Sequence, residues 1–91
     1  MPTVEWRPAA LADLLAIIDY ISDDNTEAAQ GLSDDIAHRI AKLPAHPRAY
    51  RIGRVAGTRE MVVRPHYIVI YAEAGQAVTI LRILHASQMW P

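Results

Sequence analysis

Apolar side chains recur at helical spacing in two stretches of the first half of the chain. The first stripe consists of Leu11, Leu14, Leu15, Ile18 and Ile21, and the second of Ala29, Leu32, Ile36, Ile40 and Leu43. Pro8 suits the first turn of a helix, because its missing N–H costs no hydrogen bond there. Asn25 or Thr26 can cap the second helix, and Pro44 ends it. The pattern predicts a helical hairpin, and Gly31 within it favours a close approach of the two helices.

The remaining apolar runs are typical of strands. Residues 3–6 alternate apolar and polar side chains, and residues 58–64 form a second candidate strand. Residues 67–72 are nearly all apolar, as in a strand buried on both faces, and residues 77–86 are apolar and β-branched except at Arg82. Turns are predicted at 64–67 and 74–76. The order predicts an α+β fold, β-α-α-β-β-β, with an antiparallel sheet and the N-terminal helical hairpin packed on one face.

Length and composition indicate the number of domains, the chemistry that is possible and the cellular location. Its 91 residues predict a single domain, 1–91, and the absence of cysteine excludes disulfides and thiolate chemistry. The first residues lack the basic and apolar regions of a signal peptide, and charged residues interrupt every apolar run well short of a membrane span. We therefore expect a cytoplasmic protein that makes no membrane contact.

The net charge of −1 hides a division between the two halves of the chain. Residues 1–35 carry eight acidic residues against one arginine, a net charge of −7, and residues 36–91 carry eight basic residues against two glutamates, a net charge of +6. Either these charges are scattered over a solvated surface, or the second half presents a basic face to an acidic partner. Seven of its eight bases are arginine, which is suited to forked contacts with carboxylate or phosphate.

Familiar catalytic patterns are missing from the sequence. The four histidines show no pair at metal-ligand spacing, no glycine-rich phosphate loop precedes a helix, and no serine lies on a nucleophile elbow. We expect neither a metal nor a cofactor. His85, in register with Leu81 and Ile83 at the end of the last strand, is interpreted as an inward, hydrogen-bonded rim residue. Arg82 is expected either to extend its charge into solvent or to form an ion pair, and Trp90 either packs back on the sheet or anchors a partner.

Several segments taken together resemble a known family. The stretches VAGTREMVVRPHYIVIY (55–71) and VTILRILHASQMWP (78–91), with the Leu-Pro-x-His-Pro step at 43–47, closely resemble the RelE/ParE superfamily of toxins, and the ending His-Ala-x-x-x-aromatic-Pro is similar to short ParE members. The resemblance implies the fold predicted above. It also implies a toxin of a two-gene type II toxin–antitoxin module with a cognate antitoxin, whose C-terminal segment folds across this surface.

The two branches of the superfamily imply different activities. RelE-type members cut mRNA on the ribosome, which requires proton transfer and stabilisation of charge on phosphate. Where that branch has an arginine and a tyrosine near the C-terminus, this chain has Gln88 and Trp90, and an indole cannot shuttle a proton. The isoelectric point near 6.4 is also low for a ribosome-binding nuclease, because phosphate contacts dominate such binding.

Three functional alternatives remain from the sequence. The first is a ParE-like toxin without catalytic residues, whose relatives act on DNA gyrase; the second is a ribosome-dependent mRNA endonuclease; the third is an inactive toxin retained for complex formation. The endonuclease would use Arg59, Arg64 and His85. The partner-binding residues of the first alternative are Arg48, Arg51, Arg54, Arg59, Arg64, Gln88 and Trp90.

Overall fold

The computed structural model describes residues 3–90, which contain two helices and five strands. In chain order these are β1 (Thr3–Trp6), α1 (Pro8–Ser22), α2 (Thr26–Ala41), β2 (Arg51–Ile52), β3 (Arg59–Val63), β4 (Tyr67–Ala74) and β5 (Ala77–His85), with a short 3-10 turn at Leu43–Ala45. The predicted α+β fold with its helical hairpin is confirmed. The strand β2 was not predicted, because a two-residue strand inside a basic loop leaves no alternating pattern.

The five strands form one mixed sheet in the order β1-β5-β4-β3-β2. The hairpins β3–β4 and β4–β5 are antiparallel, as expected. However, β1 pairs with β5 in parallel, with Thr3 opposite Ala77 and Trp6 opposite Ile80, so the sheet is not wholly antiparallel. The alternation of side chains predicts that β1 is a strand and says nothing about the direction of its neighbour.

The main core lies between the helical hairpin and the sheet. All five residues of the second predicted stripe are buried, although Leu43 belongs to the 3-10 turn and not to α2. In α1 the inward side chains are those of Ala10, Leu14, Ile17 and Ile21. Leu11 and Leu15, which we expected in the core, are 48% and 61% exposed. That part of the prediction is wrong because α1 is apolar on most sides, so that spacing does not identify its inward face.

The other face of the sheet carries a smaller apolar cluster. Ile68, Ile70 and Leu84 are buried there against Leu81 and Trp90, and the prediction that β4 is buried on both faces is confirmed. A bulge in β5 supplies Leu81, because Tyr71 pairs with Ile80 and Ile70 with Arg82, leaving Leu81 between them. The extra residue turns Leu81 toward this second cluster.

The predicted turns and helix cap are present. Gly75, at φ +60°, begins the two-residue loop of the β4–β5 hairpin, where a positive φ matches the twist of the strands. Asn25 caps α2, its side-chain oxygen accepting the Ala28 N–H at 3.0 Å. Gly31 does not lie at a helix–helix contact; the nearest atom to a β-carbon placed there is Nη2 of Arg64, at 4.0 Å. The close approach at this glycine is therefore made by a guanidinium group.

Asp13 joins α1 to the edge of β5. Its carboxylate accepts from Nε and Nη2 of Arg82 at 2.7 and 3.0 Å, so of the two alternatives for Arg82 the ion pair is the one that forms. It also accepts the Ile83 backbone N–H at 3.0 Å, beyond the point where β1 ends. The side-chain hydrogen bond to Asp13 raises the pKa of the Arg82 guanidinium, despite the opposing effect of desolvation. One carboxylate therefore accepts a backbone N–H at the edge of β5 and fixes α1 against that edge.

We expect Asp13→Ala to lower the free energy of unfolding by about 2–3 kcal/mol, since it leaves a half-buried guanidinium and a backbone N–H without their acceptor. Asp13→Asn keeps an acceptor for Ile83 and should cost less. Urea denaturation measures both, with Asp19→Ala, at an exposed position of the same helix, as the control. Equal stability of the Asp13→Ala and Asp19→Ala variants would contradict this role.

Candidate functional site

A basic loop, residues 46–58, is fastened to the sheet by a buried carboxylate. Glu60 is 3% exposed and accepts from Nε and Nη2 of Arg51 at 3.2 and 2.8 Å and from the Arg54 backbone N–H at 3.2 Å. Nε of Arg54 also lies 3.4 Å from Glu60 Oε2. Because Glu60 is nearly inaccessible while both arginine side chains are about half exposed, the loop displays guanidinium groups whose positions are fixed from beneath.

The same loop closes on itself at Gly53. Its N–H donates to the Thr58 carbonyl at 2.8 Å, and a β-carbon at Gly53 would overlap Thr58 Oγ1. The Thr58 hydroxyl in turn donates to the Val55 carbonyl at 2.6 Å. Only glycine allows this approach of the two backbone segments.

The other basic side chains of this region also have partners. Nε of Arg48 lies 3.2 Å from Glu73 Oε1, a pair exposed to solvent. Nη1 of Arg59 donates to the Tyr50 carbonyl at 2.8 Å, so that it braces the loop. The buried Tyr71 hydroxyl donates to the Pro47 carbonyl at 2.8 Å, and desolvation raises its pKa against the opposing charge of Arg59. Tyr71 therefore stays protonated near neutral pH and acts as a structural donor.

Arg64 lies in the loop between β3 and β4 and has a φ of +53°. Its Nε donates to Asp35 Oδ2 at 3.2 Å, and its Nη2 donates to the Gly31 carbonyl at 3.3 Å. Both partners belong to α2. The side chain is thus tied to the helical hairpin, although about half of it remains exposed.

An aromatic cluster surrounds His85 at the same end of the sheet. The rings of His66 and His85 are nearly parallel, with centroids 5.9 Å apart, and Tyr67 meets His85 edge-on at 5.6 Å. The Nδ1 of His85 lies 2.7 Å from Ser87 Oγ and 3.2 Å from the Ser87 N–H. Since a backbone N–H can only donate, Nδ1 is the acceptor and the neutral ring carries its proton on Nε2.

The prediction for His85 is partly corrected by this arrangement. It is a hydrogen-bonded rim residue, as expected, but it is exposed. It shares a face with Ile83 and not with Leu81, because the β5 bulge shifts the register between them. With Ala16, Ile17, Tyr20 and Tyr67 it lines an open apolar cleft of about 290 Å³.

The C-terminal segment folds back on the sheet. Gln88 closes a turn, with its Oε1 accepting the His85 N–H at 2.7 Å and its own N–H donating to the His85 carbonyl at 2.9 Å. Trp90 packs against the second apolar cluster, with the Arg82 guanidinium 6.0 Å from its ring centroid. Of the two alternatives for Trp90, packing on the sheet is confirmed. Pro91, which completes the C-terminal motif, lies outside the described residues.

The three residues of the endonuclease alternative are not assembled into one site. Val63 pairs with Tyr67 and Tyr67 with His85, so Arg64 and His85 lie at one end of the sheet. Arg59 begins β3 at the opposite end, roughly 17 Å from Arg64 at about 3.3 Å per residue. A phosphate held by Arg59 is out of reach of the imidazole.

Four further residues matter here that sequence reasoning did not select. Asp13 fixes α1 to the edge of β5, and Glu60 anchors the basic loop. The rings of His66 and Tyr67 contact that of His85. One feature of the sequence could have identified two of these residues: Asp13 and Glu60 are acidic residues in largely apolar segments. Within residues 3–90, no group of three potential metal ligands occurs, and neither helix is long and apolar enough to cross a membrane.

Comparison with protein families gives a match over almost the whole chain. The model of the ParE toxin of the type II toxin–antitoxin system, parDE, matches residues 4–90. The protein named Toxin RelE2 of Caulobacter vibrioides is 38% identical over 89 residues, covering 98% of this chain and 100% of the relative. Putative toxin Y4kP of Sinorhizobium fredii is 33% identical, covering 97% of this chain and 92% of that protein.

Solved structures agree with these sequence matches. A chain of the chromosomal ParDE TA system from P. aeruginosa superposes with a TM-score of 0.81 at 29% identity, covering 93% of this chain and 96% of that chain. A conserved hypothetical protein from Helicobacter pylori superposes with a TM-score of 0.58 at 13% identity, covering 99% of this chain and 100% of the other. The second likeness concerns the fold alone.

We expect Glu60→Gln to loosen the basic loop, because it leaves two guanidinium groups around a neutral amide. Trypsin should then cleave after Arg51 and Arg54 about ten times faster than in the unsubstituted chain, as local opening becomes more frequent. Glu73→Gln removes the exposed pair with Arg48 and should leave those cleavage rates nearly unchanged. Identical digestion of the two variants would show that Glu60 does not anchor the loop.

Proposed function

The chain belongs to the ParE toxin family of type II toxin–antitoxin systems, and we propose that it stops growth by binding DNA gyrase and not by cutting RNA. Membership of a type II system implies an antitoxin partner. The identity of the target is the proposal, and it follows the resemblance to ParE toxins that act on gyrase. We place this action in the cytoplasm, where gyrase works.

The separation of the candidate catalytic residues carries this proposal. RNA cleavage needs a base for the 2′-hydroxyl, an acid for the leaving oxygen and a cation beside the phosphate. Arg64 is held by Asp35 and Gly31, and Arg59 is turned into its own loop at the other end of β3. His85 lies with His66 at the end of the sheet opposite Arg59, so the candidate acid–base group and this cation are separated.

The surface that remains is suited to binding a macromolecule. The basic loop offers Arg51 and Arg54 as half-exposed guanidinium groups that Glu60 fixes, and Arg48 as an exposed one. Fixed side chains lose little conformational entropy when a partner's acidic groups meet them. Together with Arg59, Arg64, Gln88 and Trp90, these residues are the proposed contacts with the target or the antitoxin.

A ribosome-dependent endonuclease remains the second candidate, on a specific observation. His66, Tyr67, His85 and Arg64 lie at one end of the sheet, which is the minimum for proton transfer beside a cation. The relative from Caulobacter vibrioides bears the name Toxin RelE2. A chain that performs neither activity, retained for its complex with the antitoxin, is the third candidate.

We expect the purified chain to make gyrase accumulate broken DNA in a cleavage assay. Trp90→Ala should lower its potency about tenfold, since the part of the ring left exposed is a proposed contact and the rest holds the C-terminal segment on the sheet. Met89→Ala is the matched control, because Met89 is 92% exposed beside it. Circular dichroism should verify that both variants are folded.

Translating ribosomes provide the opposing test. If the chain cuts message on programmed ribosomes, and Arg64→Ala or His85→Ala abolishes the cutting, the gyrase proposal is wrong and the endonuclease is the function. If both assays and growth of expressing cells show no effect, the inactive alternative replaces both.

We also propose that the antitoxin lays a strand or helix in the groove between helices and sheet, drawn by the net positive half of the chain. Arg48→Glu, at an exposed side chain, should weaken the antitoxin complex about threefold to tenfold at low salt and reduce its salt dependence. Arg7→Glu, at an exposed position outside residues 36–91, is the control of the same charge change and should leave the affinity nearly unchanged. An unchanged affinity for the Arg48 variant, or no recovery of the partner gene's product in a pull-down, would count against this arrangement.

A further inference from the structure

An open pocket of about 390 Å³ lies where α1 begins, beside β5 and the C-terminal segment. It is lined by Arg7, Pro8, Ala9, Leu81, Arg82 and Trp90. Leu81 and Trp90 belong to the second apolar cluster, on the face of the sheet away from the main core. The pocket therefore combines apolar surface with two arginine side chains, and neither the core nor the basic loop accounts for it.

The two arginine side chains give the pocket a net positive charge. Asp13 holds Nε and Nη2 of Arg82 and so fixes this guanidinium, whose Nη1 has no acceptor among residues 3–90. Arg7 is exposed, and the five ion pairs within residues 3–90 do not include it. None of the six lining residues is acidic. The charge of Arg7 is thus added to a second guanidinium group that is already held in position.

The indole N–H of Trp90 is a further hydrogen-bond donor in this region. It is buried and has no acceptor within residues 3–90, although buried donors are nearly always hydrogen-bonded. The Arg82 guanidinium lies 6.0 Å from the centroid of the same ring. Because both groups can only donate, an acceptor from another molecule is the group that suits them.

The beginning of α1 also favours an anion here. Arg7 is the N-cap residue, its side chain forms no capping hydrogen bond, and the first turn of α1 contains no acidic residue. The positive end of the helix dipole is therefore not compensated by a side chain of the helix itself. This effect supports the charge of the two guanidinium groups and the unpaired indole donor, and all of them favour the same kind of ligand.

We propose that this pocket binds a carboxylate carried on an apolar group. Arg7 and Nη1 of Arg82 donate to the carboxylate oxygens, and the apolar part of the ligand packs against Leu81 and the ring of Trp90. A carboxylate suits this partly apolar site better than a phosphate dianion, which loses more hydration on entering it.

Two sources share this chemistry: an acidic side chain beside an apolar residue in the target of the toxin, and a small organic acid. The binding site itself is independent of the target, and only the choice between the two sources rests on the proposed function.

Titration of the full chain with 3-phenylpropionate, followed by NMR at the indole N–H signals, tests the pocket. The chain has two tryptophans, Trp6 and Trp90, and Trp90→Phe identifies the signal of Trp90 by removing it. That signal should shift saturably with a Kd of about 1–10 mM, as expected for so small a ligand. The uncharged 3-phenylpropanamide, which has the same size, should bind at least tenfold more weakly, and high salt should weaken binding of the acid.

Two variants that each remove one exposed positive charge provide a matched comparison. Arg7→Gln should weaken the binding of 3-phenylpropionate about fivefold to tenfold, because it removes one of the two guanidinium groups. Arg48→Gln, at a residue that does not line the pocket, should bind this acid as the unsubstituted chain does. Both variants should melt within about 2 °C of the unsubstituted chain, since exposed side chains contribute little to stability.

The gyrase cleavage assay then distinguishes the two sources of the carboxylate. If the carboxylate belongs to the target, Arg7→Gln and saturating 3-phenylpropionate should each lower the potency of the chain about tenfold, with 3-phenylpropanamide as the control. If both leave the potency unchanged while the acid still binds to the chain, the ligand is a small organic acid.

The pocket is not a carboxylate site if the Trp90 indole signal shows no saturable shift up to about 50 mM acid. The same conclusion follows if the amide binds as tightly as the acid, or if Arg7→Gln leaves the Kd unchanged. None of these measurements involves gyrase, so a chain without effect on gyrase contradicts the proposed function and leaves the pocket to be judged by the titration.

Discussion

The contact between Asp13 and the edge of β5 fixes the relation between the helical hairpin and the sheet. It links residues that are about seventy positions apart in the chain through three short hydrogen bonds. With Asp13 held at this edge, Ala10, Leu14, Ile17 and Ile21 face the core. The same constraint leaves Leu11 and Leu15 on the outside. The exposed apolar surface of α1 is therefore a consequence of how the core is closed.

The charges of the protein divide into two groups with different consequences. Around the sheet, arginine side chains are paired with carboxylates such as Glu60 and Glu73 or with backbone carbonyls. These contacts restrict the conformations of the guanidinium groups on the basic surface. On the helical hairpin, Asp35 and Asp13 pair with Arg64 and Arg82 and so join the helices to the sheet. The protein therefore presents two kinds of surface, a cationic one around the sheet and an apolar one on α1.

The sequence by itself determined the helices and strands that are buried along one clear face, such as α2, or on both faces, such as β4. The α2 stripe, the apolar β4 strand and the Gly75 turn each follow from local rules of spacing and backbone geometry. Local rules were also enough for the order of the helices and strands. The resemblance carried in residues 55–71 and 78–91 gave the family.

Tertiary structure alone decided the rest, because the remaining features depend on residues that are distant in the chain. Neither the parallel pairing of β1 with β5 nor the bulge at Leu81 alters the apolar pattern that predicts a strand. The inward face of α1 could not be read from a helix that is apolar on most sides. The candidate site shows the same limit: the sequence identified Arg59, Arg64 and His85, and only the sheet register revealed that the first lies far from the other two. Spacing along a chain reports which side of an element a residue occupies, whereas distance across a sheet is set by the pairing of its strands.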